Sequence, residues 1–208
     1  MKKSLTGEEK LACLNQPLDD LYKEMYVKDV EPYIFKDSEK VSDEYFEFLY
    51  MFSKLLDVSP HNIMIAGSAR TGFSLNPNPQ KGRFLKDFTE ESDIDLVVVS
   101  PDLFHSFWKE FTIASYKVGE LKNVQHLGKK LTKGFIDLYH FTDSNEVNKQ
   151  WEKKTGRFQR ELQKKFTLSQ DINYRIFNDW QSVELYYKNG IEEAKTLVQK
   201  GAWKNEDN

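Results

Sequence analysis

Clusters of apolar residues in the middle of the chain predict three β-strands. Each run is short, rich in aliphatic and β-branched residues, and bounded by turn formers or charged residues. The predicted strands are Ile63–Ala66, Asp93–Val99 and Phe135–Phe141.

Apolar residues at helical spacing predict helices on both sides of these strands. A helix is expected to begin with Ser42 as its N-cap, and another to begin at Pro101 after Ser100. The predicted helices are Leu18 to Val27, Ser42 to Leu56, Pro101 toward Tyr116, Glu146 to Phe166, one from about Asp179 and one from about Ile191. Residues 1–16 are expected to be a weakly ordered lead-in, and residues 171–177 a connection or a short strand.

The order of these elements predicts an α/β (α+β) fold: a small mixed β-sheet core flanked by helices, with a C-terminal helical extension. A length of 208 residues suits one domain with such an extension. The expected regions are a lead-in with a short helix at 1–41, a core at 42–144, and a helical region packed on the core at 145–208.

Composition limits the function only weakly. The net charge is −3, from 30 basic and 33 acidic residues, so no overall basic character indicates nucleic-acid binding. The single cysteine, Cys13, cannot form an intrachain disulfide and fits a reducing compartment. No apolar run approaches the length of a membrane span, and no signal core follows the basic start. We therefore expect a cytoplasmic protein without a membrane partner.

Two aspartates at the start of the second predicted strand are the most informative feature of the sequence. In Ser92-Asp93-Ile94-Asp95-Leu96, residues two apart share one face of a strand, so both carboxylates project the same way. Like charges at this distance repel, and a divalent cation with oxygen ligands removes the repulsion. Two exposed acids at a solvated strand start are the alternative interpretation.

Two further segments favour a bound, charged ligand. The strand that ends at Ala66 is followed by Gly67-Ser68, where small residues let the backbone approach a phosphate; an ordinary turn is the alternative. Asp137 is a lone acid in an apolar, aromatic run. It is either a buried or edge-strand residue with a hydrogen-bond partner, or a metal ligand from a neighbouring strand.

The order Gly-Ser, then Asp-x-Asp on a strand, then a single later Asp resembles the DNA polymerase β-like nucleotidyltransferase superfamily. The resemblance implies that Gly67 and Ser68 contact the triphosphate of a nucleoside triphosphate, with assistance from Arg70. It also implies that Asp93, Asp95 and Asp137 are catalytic and hold two Mg²⁺ or Mn²⁺ ions, with Asp137 on the ion that activates the attacking hydroxyl. The implied reaction transfers a nucleoside monophosphate to an acceptor hydroxyl and releases pyrophosphate.

The sequence does not determine the identity of the acceptor. The candidates are an RNA end, a protein hydroxyl, a small molecule and a second nucleotide. The spacing from Gly67 to Gly72, followed by Ser92-Asp93-Ile94-Asp95, looks closest to bacterial members of defence and toxin–antitoxin systems. A nucleotide-binding or regulatory module without turnover is the alternative function.

Two other segments carry expectations. The loop at residues 69–92 is longer than the compact members of the superfamily usually have. Its Pro, Asn and Gly content predicts a surface flap that faces the substrate or a protein partner.

Basic residues between Lys153 and Lys165 form either a solvated helix face or a basic wall over the active site.

Overall fold

The structure is a computed structural model that describes residues 5–28, 31–76 and 84–201. Its regular elements alternate between helices and strands along the middle and end of the chain. The helices are α1 Gly7–Leu14, α2 Leu18–Tyr22, α3 Val41–Leu56, α4 Ser68–Thr71, α5 Pro101–Ser115, α6 Val124–Thr132, α7 Glu146–Phe166 and α8 Trp180–Gln199. The strands are β1 Ile63–Ala66, β2 Ile94–Val99, β3 Phe135–Ile136 and β4 Ile172–Phe177. A π-helical turn at Lys23–Val27 continues α2, and 3₁₀ turns cover Tyr33–Phe35, Pro60–Asn62 and Leu138–His140.

The four strands form one mixed sheet in the order β1-β2-β4-β3. β1 runs antiparallel to β2, β4 runs parallel to β2, and β3 runs antiparallel to β4. The register pairs Ala66 with Asp95 and Asp95 with Asn173, so the start of β2 lies between the end of β1 and the start of β4.

Helices cover both faces of the sheet. Alternate β2 residues belong to two separate apolar clusters, with Leu96 in one and Val97 in the other. The first cluster contains apolar residues of α3, α5 and α7, and the second contains those of α1, α2 and α8. The expected mixed-sheet α/β fold is confirmed.

Capping residues explain why several predicted helices begin where they do. Ser100 accepts a hydrogen bond from Leu103 N–H, and α5 begins at Pro101 as the sequence predicted. Asn145 caps α7 through Asn148 N–H, and α7 then ends at Phe166 as predicted. The predicted strands β1 and β2 are confirmed as well, with Asp93 directly before β2.

The N-terminal segment is more ordered than its sequence suggested. Residues 7–14 form α1, which begins with a capping box of Thr6 and Glu9. Leu14 is buried, and the buried Lys10 donates to Leu85 O at 3.0 Å. The expectation of a weakly ordered lead-in is therefore wrong for the described part.

Three element boundaries also differ from the prediction. The N-cap of α3 is Lys40 without a side-chain hydrogen bond, while Ser42 lies inside the helix. The predicted strand at 135–141 ends at Ile136, because the chain turns into a 3₁₀ turn after Asp137. A single helix, α8, replaces the two expected near Asp179 and Ile191; its buried face continues past Gly190 to Ile191 and Ala194.

Two further elements alter the expected organisation. Residues 171–177 contain β4, which lies between β2 and β3, so the region 145–208 supplies a sheet strand as well as helices. The helix α6 was not predicted. In the described part of the chain, no helix is long and apolar enough to cross a membrane.

Candidate active site

A cleft of about 410 Å³ opens beside the starts of β2 and β4, and we name it the carboxylate cleft. Elements from the whole chain contribute to it: the end of β1, the stem of the 69–92 loop, the strands β2 and β4, and α8. Its principal lining residues are Gly67, Ser68, Lys86, Asp87, Glu91, Asp93, Asp95, Lys133, Asn173, Arg175, Tyr186 and Glu193.

Gly67 brings the backbone after β1 into contact with Asp95. Its φ is +61°, a conformation that side-chain-bearing residues rarely adopt. A Cβ atom on Gly67 would lie 2.7 Å from Oδ2 of Asp95, well inside van der Waals contact. Only glycine therefore allows this approach. The structure brings Gly67, Ser68, Asp93 and Asp95 to one cleft, as the sequence pattern suggested.

Asp95 pairs with an arginine from the neighbouring strand. Its Oδ1 lies 3.0 Å from Nη2 of Arg175, and the side chains are 21% and 25% exposed. Burial lowers the pKa of Arg175, but the charge of Asp95 and the tyrosines Tyr187 and Tyr186 raise that pKa above its ordinary value on balance. A positive charge thus stands beside Asp95, at the wall of the cleft.

Arg70 does not lie where a phosphate contact would need it. Its side chain is buried and donates to backbone carbonyls, from Nε to Met25 O at 2.5 Å and from Nη2 to Lys28 O at 3.2 Å. It does not line the carboxylate cleft. The expectation that Arg70 assists at the phosphates is wrong in this arrangement, because the guanidinium holds the turn after α2.

Asp137 lies in a second cleft of about 560 Å³, which we name the edge cleft. Its carboxylate pairs with Lys130 of α6, and its Oδ1 lies 3.7 Å from Nε2 of the buried His140. Asp137 does not line the carboxylate cleft. The expected convergence of Asp137 with Asp93 and Asp95 is therefore not present, because the chain turns away from β4 at this point.

Asn173 lies opposite Asp95 on the neighbouring strand, and the sequence did not identify it as a site residue. It pairs with Asp95 across β2 and β4, so both side chains lie on the same face of the sheet. Asn173 lines both clefts, as does Arg175. In the sequence, both residues lie in the segment 171–177, which is expected to be a connection or a short strand.

The carboxylate cleft offers oxygen atoms of the kind that bind a divalent cation. Asp93 and Asp95 offer carboxylate oxygens, and Asn173 offers an amide oxygen, all of which are suitable ligands for Mg²⁺ or Mn²⁺. Within the described ranges, no three His, Cys, Asp or Glu side chains are grouped to hold a metal ion.

The stem of the 69–92 loop belongs to the core. Phe73, Phe84 and Leu85 are buried, and Phe73 forms an antiparallel bridge with Asp87. The expectation of a surface flap is therefore wrong for this stem. Residues 77–83, which are part of the expected flap at 69–92, lie outside the described residues.

The basic residues of α7 do not line either cleft. The α7 residues in the edge cleft are Asn148, Trp151, Glu152, Thr155, Gly156 and Gln159. Lys165 pairs instead with Glu47 at 2.6 Å, and Arg157 with Glu161 at 3.6 Å. The solvated-face interpretation fits these positions.

Comparisons of the chain with protein families, curated proteins and solved structures find no match.

Proposed function

We propose that this protein is a metal-dependent nucleotidyltransferase whose nucleoside triphosphate binds in the carboxylate cleft. The observation that carries the proposal is the contact between Gly67 and Asp95. A glycine in a backbone conformation that side-chain-bearing residues rarely adopt follows the first strand and lies against the second carboxylate of an Asp-x-Asp pair on the next strand. Glycine is the usual residue where a backbone has to approach a ligand closely.

The charges in the cleft support a phosphate ligand bound with a cation. Among the described residues, five carboxylates line it, those of Asp87, Glu91, Asp93, Asp95 and Glu193, against the three cations Lys86, Lys133 and Arg175. Asp87 is paired with Lys10 at 2.5 Å and Asp95 with Arg175 at 3.0 Å. The remaining acidic excess favours a divalent cation, while Lys86 and Lys133 can face phosphate oxygens.

The chain's own residues hold and orient the reactants in this proposal. Ser68 and the backbone at Gly67 contact the triphosphate, and Asp93 and Asp95, with Asn173, provide oxygen ligands for Mg²⁺ or Mn²⁺. A bound cation would neutralise phosphate charge and polarise the phosphoryl group that is transferred. The acceptor oxygen bonds to the α-phosphorus as the bond to the bridging oxygen breaks. Pyrophosphate leaves with that electron pair, and the proton of the acceptor hydroxyl passes to water.

Several parts of the proposal rest on the sequence resemblance. They are the membership of the nucleotidyltransferase superfamily, the role in bacterial defence or toxin–antitoxin systems, and the open choice among RNA, protein and nucleotide acceptors. A cytoplasmic location is proposed because Cys13 is the chain's single cysteine.

A second candidate function is nucleotide binding without turnover. Asn173 favours it, because a neutral amide, rather than a third carboxylate, faces Asp95 across the sheet. Asp137 remains paired with Lys130 outside the carboxylate cleft.

Incubation of the protein with each nucleoside triphosphate and Mg²⁺ or Mn²⁺, followed by measurement of pyrophosphate release, separates the two functions. The transferase predicts metal-dependent release that Asp95→Asn abolishes. The binding module predicts a saturable nucleotide complex with no release above the level of the Asp95→Asn variant.

A further inference from the structure

The edge cleft lies along an unpaired stretch of a sheet strand. β3 pairs only with Phe177 and Ile176, so the earlier part of β4 has no neighbour on that side within the described chain. Four consecutive β4 residues, Ile172 to Arg175, line the cleft. Because consecutive strand residues point to opposite faces, a cleft that touches all four must lie along the strand's edge.

The backbone groups at this edge can be assigned from the hydrogen bonds on either side of β4. Ile94 N–H donates to Asp171 O at 2.8 Å, and Ser100 N–H donates to Phe177 O at 3.0 Å, so odd-numbered residues face β2. Asn178 N–H donates to Gly134 O at 3.0 Å, so even-numbered residues face the other edge.

The N–H and C=O groups of Ile172 and Tyr174 therefore point into the edge cleft. None of the described residues hydrogen-bonds to them. Unpaired groups on a strand edge are a template for another strand, and extended peptides bind many proteins in this way.

The walls of the cleft indicate which peptide side chains it would accept. On the α7 side, the rings of Trp151 and Tyr174 meet edge to face at 5.1 Å and offer an aromatic surface. The hydroxyl of Tyr174 is buried and has no hydrogen-bond partner in the described structure.

The charge of the lining is complementary to a basic side chain. Asp137 is paired with Lys130, Lys122 with Asp143 at 3.7 Å, and Arg175 with Asp95 at 3.0 Å. Among the described charged residues that line the cleft, Glu152 alone lacks an opposite charge within 4 Å; its Oε1 accepts a hydrogen bond from Asn148 at 2.8 Å.

We propose that the edge cleft binds an extended peptide segment of a protein partner, which adds to the sheet beside β4. The peptide's backbone bonds to Ile172 and Tyr174 along about 13 Å, the span of about four residues. Two of its side chains, two residues apart, face α7: an apolar one over Trp151 and Tyr174, and a Lys or Arg at Glu152.

The probe is a library of random heptapeptides displayed on phage and selected against the immobilised full-length protein. Enriched sequences should share a basic and an apolar residue two positions apart. Fluorescence polarisation of a labelled selected peptide then gives its Kd. Failure to enrich any sequence above an uncoated surface would overturn the proposal.

A matched pair of variants on α7 tests the position of the peptide. Glu152→Lys should weaken binding at least tenfold, and a peptide with its basic residue replaced by Glu should recover affinity for this variant. Glu161→Lys, with the same charge change outside the cleft, should alter the Kd less than twofold. Equal binding to wild type and Glu152→Lys would overturn the proposal.

Single N-methylation along the selected peptide tests the strand pairing. Methylation removes one backbone donor at a time, so losses of affinity should fall on alternate residues. A loss at every position or at none would contradict strand addition. Displacement of the peptide by free nucleosides would also overturn it, since the cleft would then hold a base.

This inference stands apart from the proposed function. The variant Asp93→Asn should leave the peptide Kd unchanged, because Asp93 does not line the edge cleft. The experiments can therefore contradict the peptide site without contradicting the nucleotide site, and they can contradict the nucleotide site without contradicting the peptide site.

Discussion

Gly67 is the residue on which the geometry of the carboxylate cleft depends most. Gly67→Ala would place a methyl group 2.7 Å from Oδ2 of Asp95 on a backbone with φ of +61°. We expect the free energy of unfolding to fall by about 1–3 kcal/mol, the usual cost of such strain. The increase in melting temperature with Mg²⁺ and a nucleoside triphosphate should also disappear.

Gly128→Ala is the control for this substitution, measured by urea denaturation alongside Gly67→Ala. Gly128 lies in α6 with nothing within 4 Å of an added Cβ, so alanine should raise the free energy of unfolding by up to about 1 kcal/mol. If both variants had wild-type stability and ligand response, the contact with Asp95 would not matter to the site.

Asn173 is the residue through which metal affinity should be easiest to increase. Asn173→Asp adds a carboxylate on the strand position paired with Asp95. We expect Mn²⁺ to bind about tenfold more tightly, since ligand charge favours hard cations. The metal-free variant should melt at a lower temperature, because like charges repel.

Electron paramagnetic resonance of free Mn²⁺ in a titration measures this affinity directly. Asp171→Asn, beside Asn173 but outside the carboxylate cleft, serves as a charge-changing control that should leave Mn²⁺ affinity unaltered. Unchanged Mn²⁺ affinity in Asn173→Asp would show that the cation binds elsewhere.

The site residues that lie close together in sequence were the ones that sequence reasoning could place. Asp93 and Asp95 share a strand face through local geometry, and Gly67-Ser68 directly follow a clear apolar run. Asp137 and Arg70 depended on tertiary packing, and their partners Lys130 and Met25 could not be inferred from spacing. The sequence did not place Asn173 and Arg175 at the cleft, because residues 171–177 are compatible with either a connection or a short strand.

Among the elements, the 3₁₀ turn Leu138–His140 has a pH dependence that can be measured. His140 is fully buried, and burial lowers its pKa below the ordinary value of 6.5, although the hydrogen bond with Lys122 O partly opposes this. Near pH 6.5 the unfolded chain therefore binds more protons at this residue than the folded chain. The free energy of unfolding should fall as the pH drops below about 6.5.

Urea denaturation between pH 5 and 8, in wild type and His140→Gln, measures this effect. The fall in stability toward acid should be smaller in His140→Gln, whereas the exposed His61→Gln should follow the wild-type curve. An unaltered pH dependence in His140→Gln would assign the acid sensitivity to other groups.

Helices and strands with strong end signals were predictable, and those determined by packing were not. Pro101 located the start of α5, and apolar residues at helical spacing located α7, since both signals are local. The continuity of α8 past Gly190 follows from burial of Ile191 and Ala194, which outweighs the low helix propensity of glycine. The alternation of Ile172, Tyr174 and Ile176 with Asn173 and Arg175 suits a strand, but the sequence does not show which neighbour so short a segment pairs with.

In the molecule as a whole, distant segments complete the layer on the α8 face. Lys188 of α8 lies 2.6 Å from Asp19, and Lys195 donates to Gln16 O at 2.5 Å. The N-terminal helices and α8 therefore cover the same face of the sheet, and α8 also lines the carboxylate cleft. This long-range arrangement had no signal in the sequence.

Binding of a nucleoside triphosphate with Mg²⁺, measured by isothermal titration calorimetry, tests the central claim most directly. Three proteins are compared: wild type, Asp93→Asn with Asp95→Asn, and Asp137→Asn. If the nucleotide binds in the carboxylate cleft, wild type should have one binding site, and the Kd of Asp137→Asn should lie within twofold of the wild-type Kd. The double variant should bind at least fiftyfold more weakly. Equal affinity in all three proteins, or a loss confined to Asp137→Asn, would contradict the assignment of the nucleotide to the carboxylate cleft.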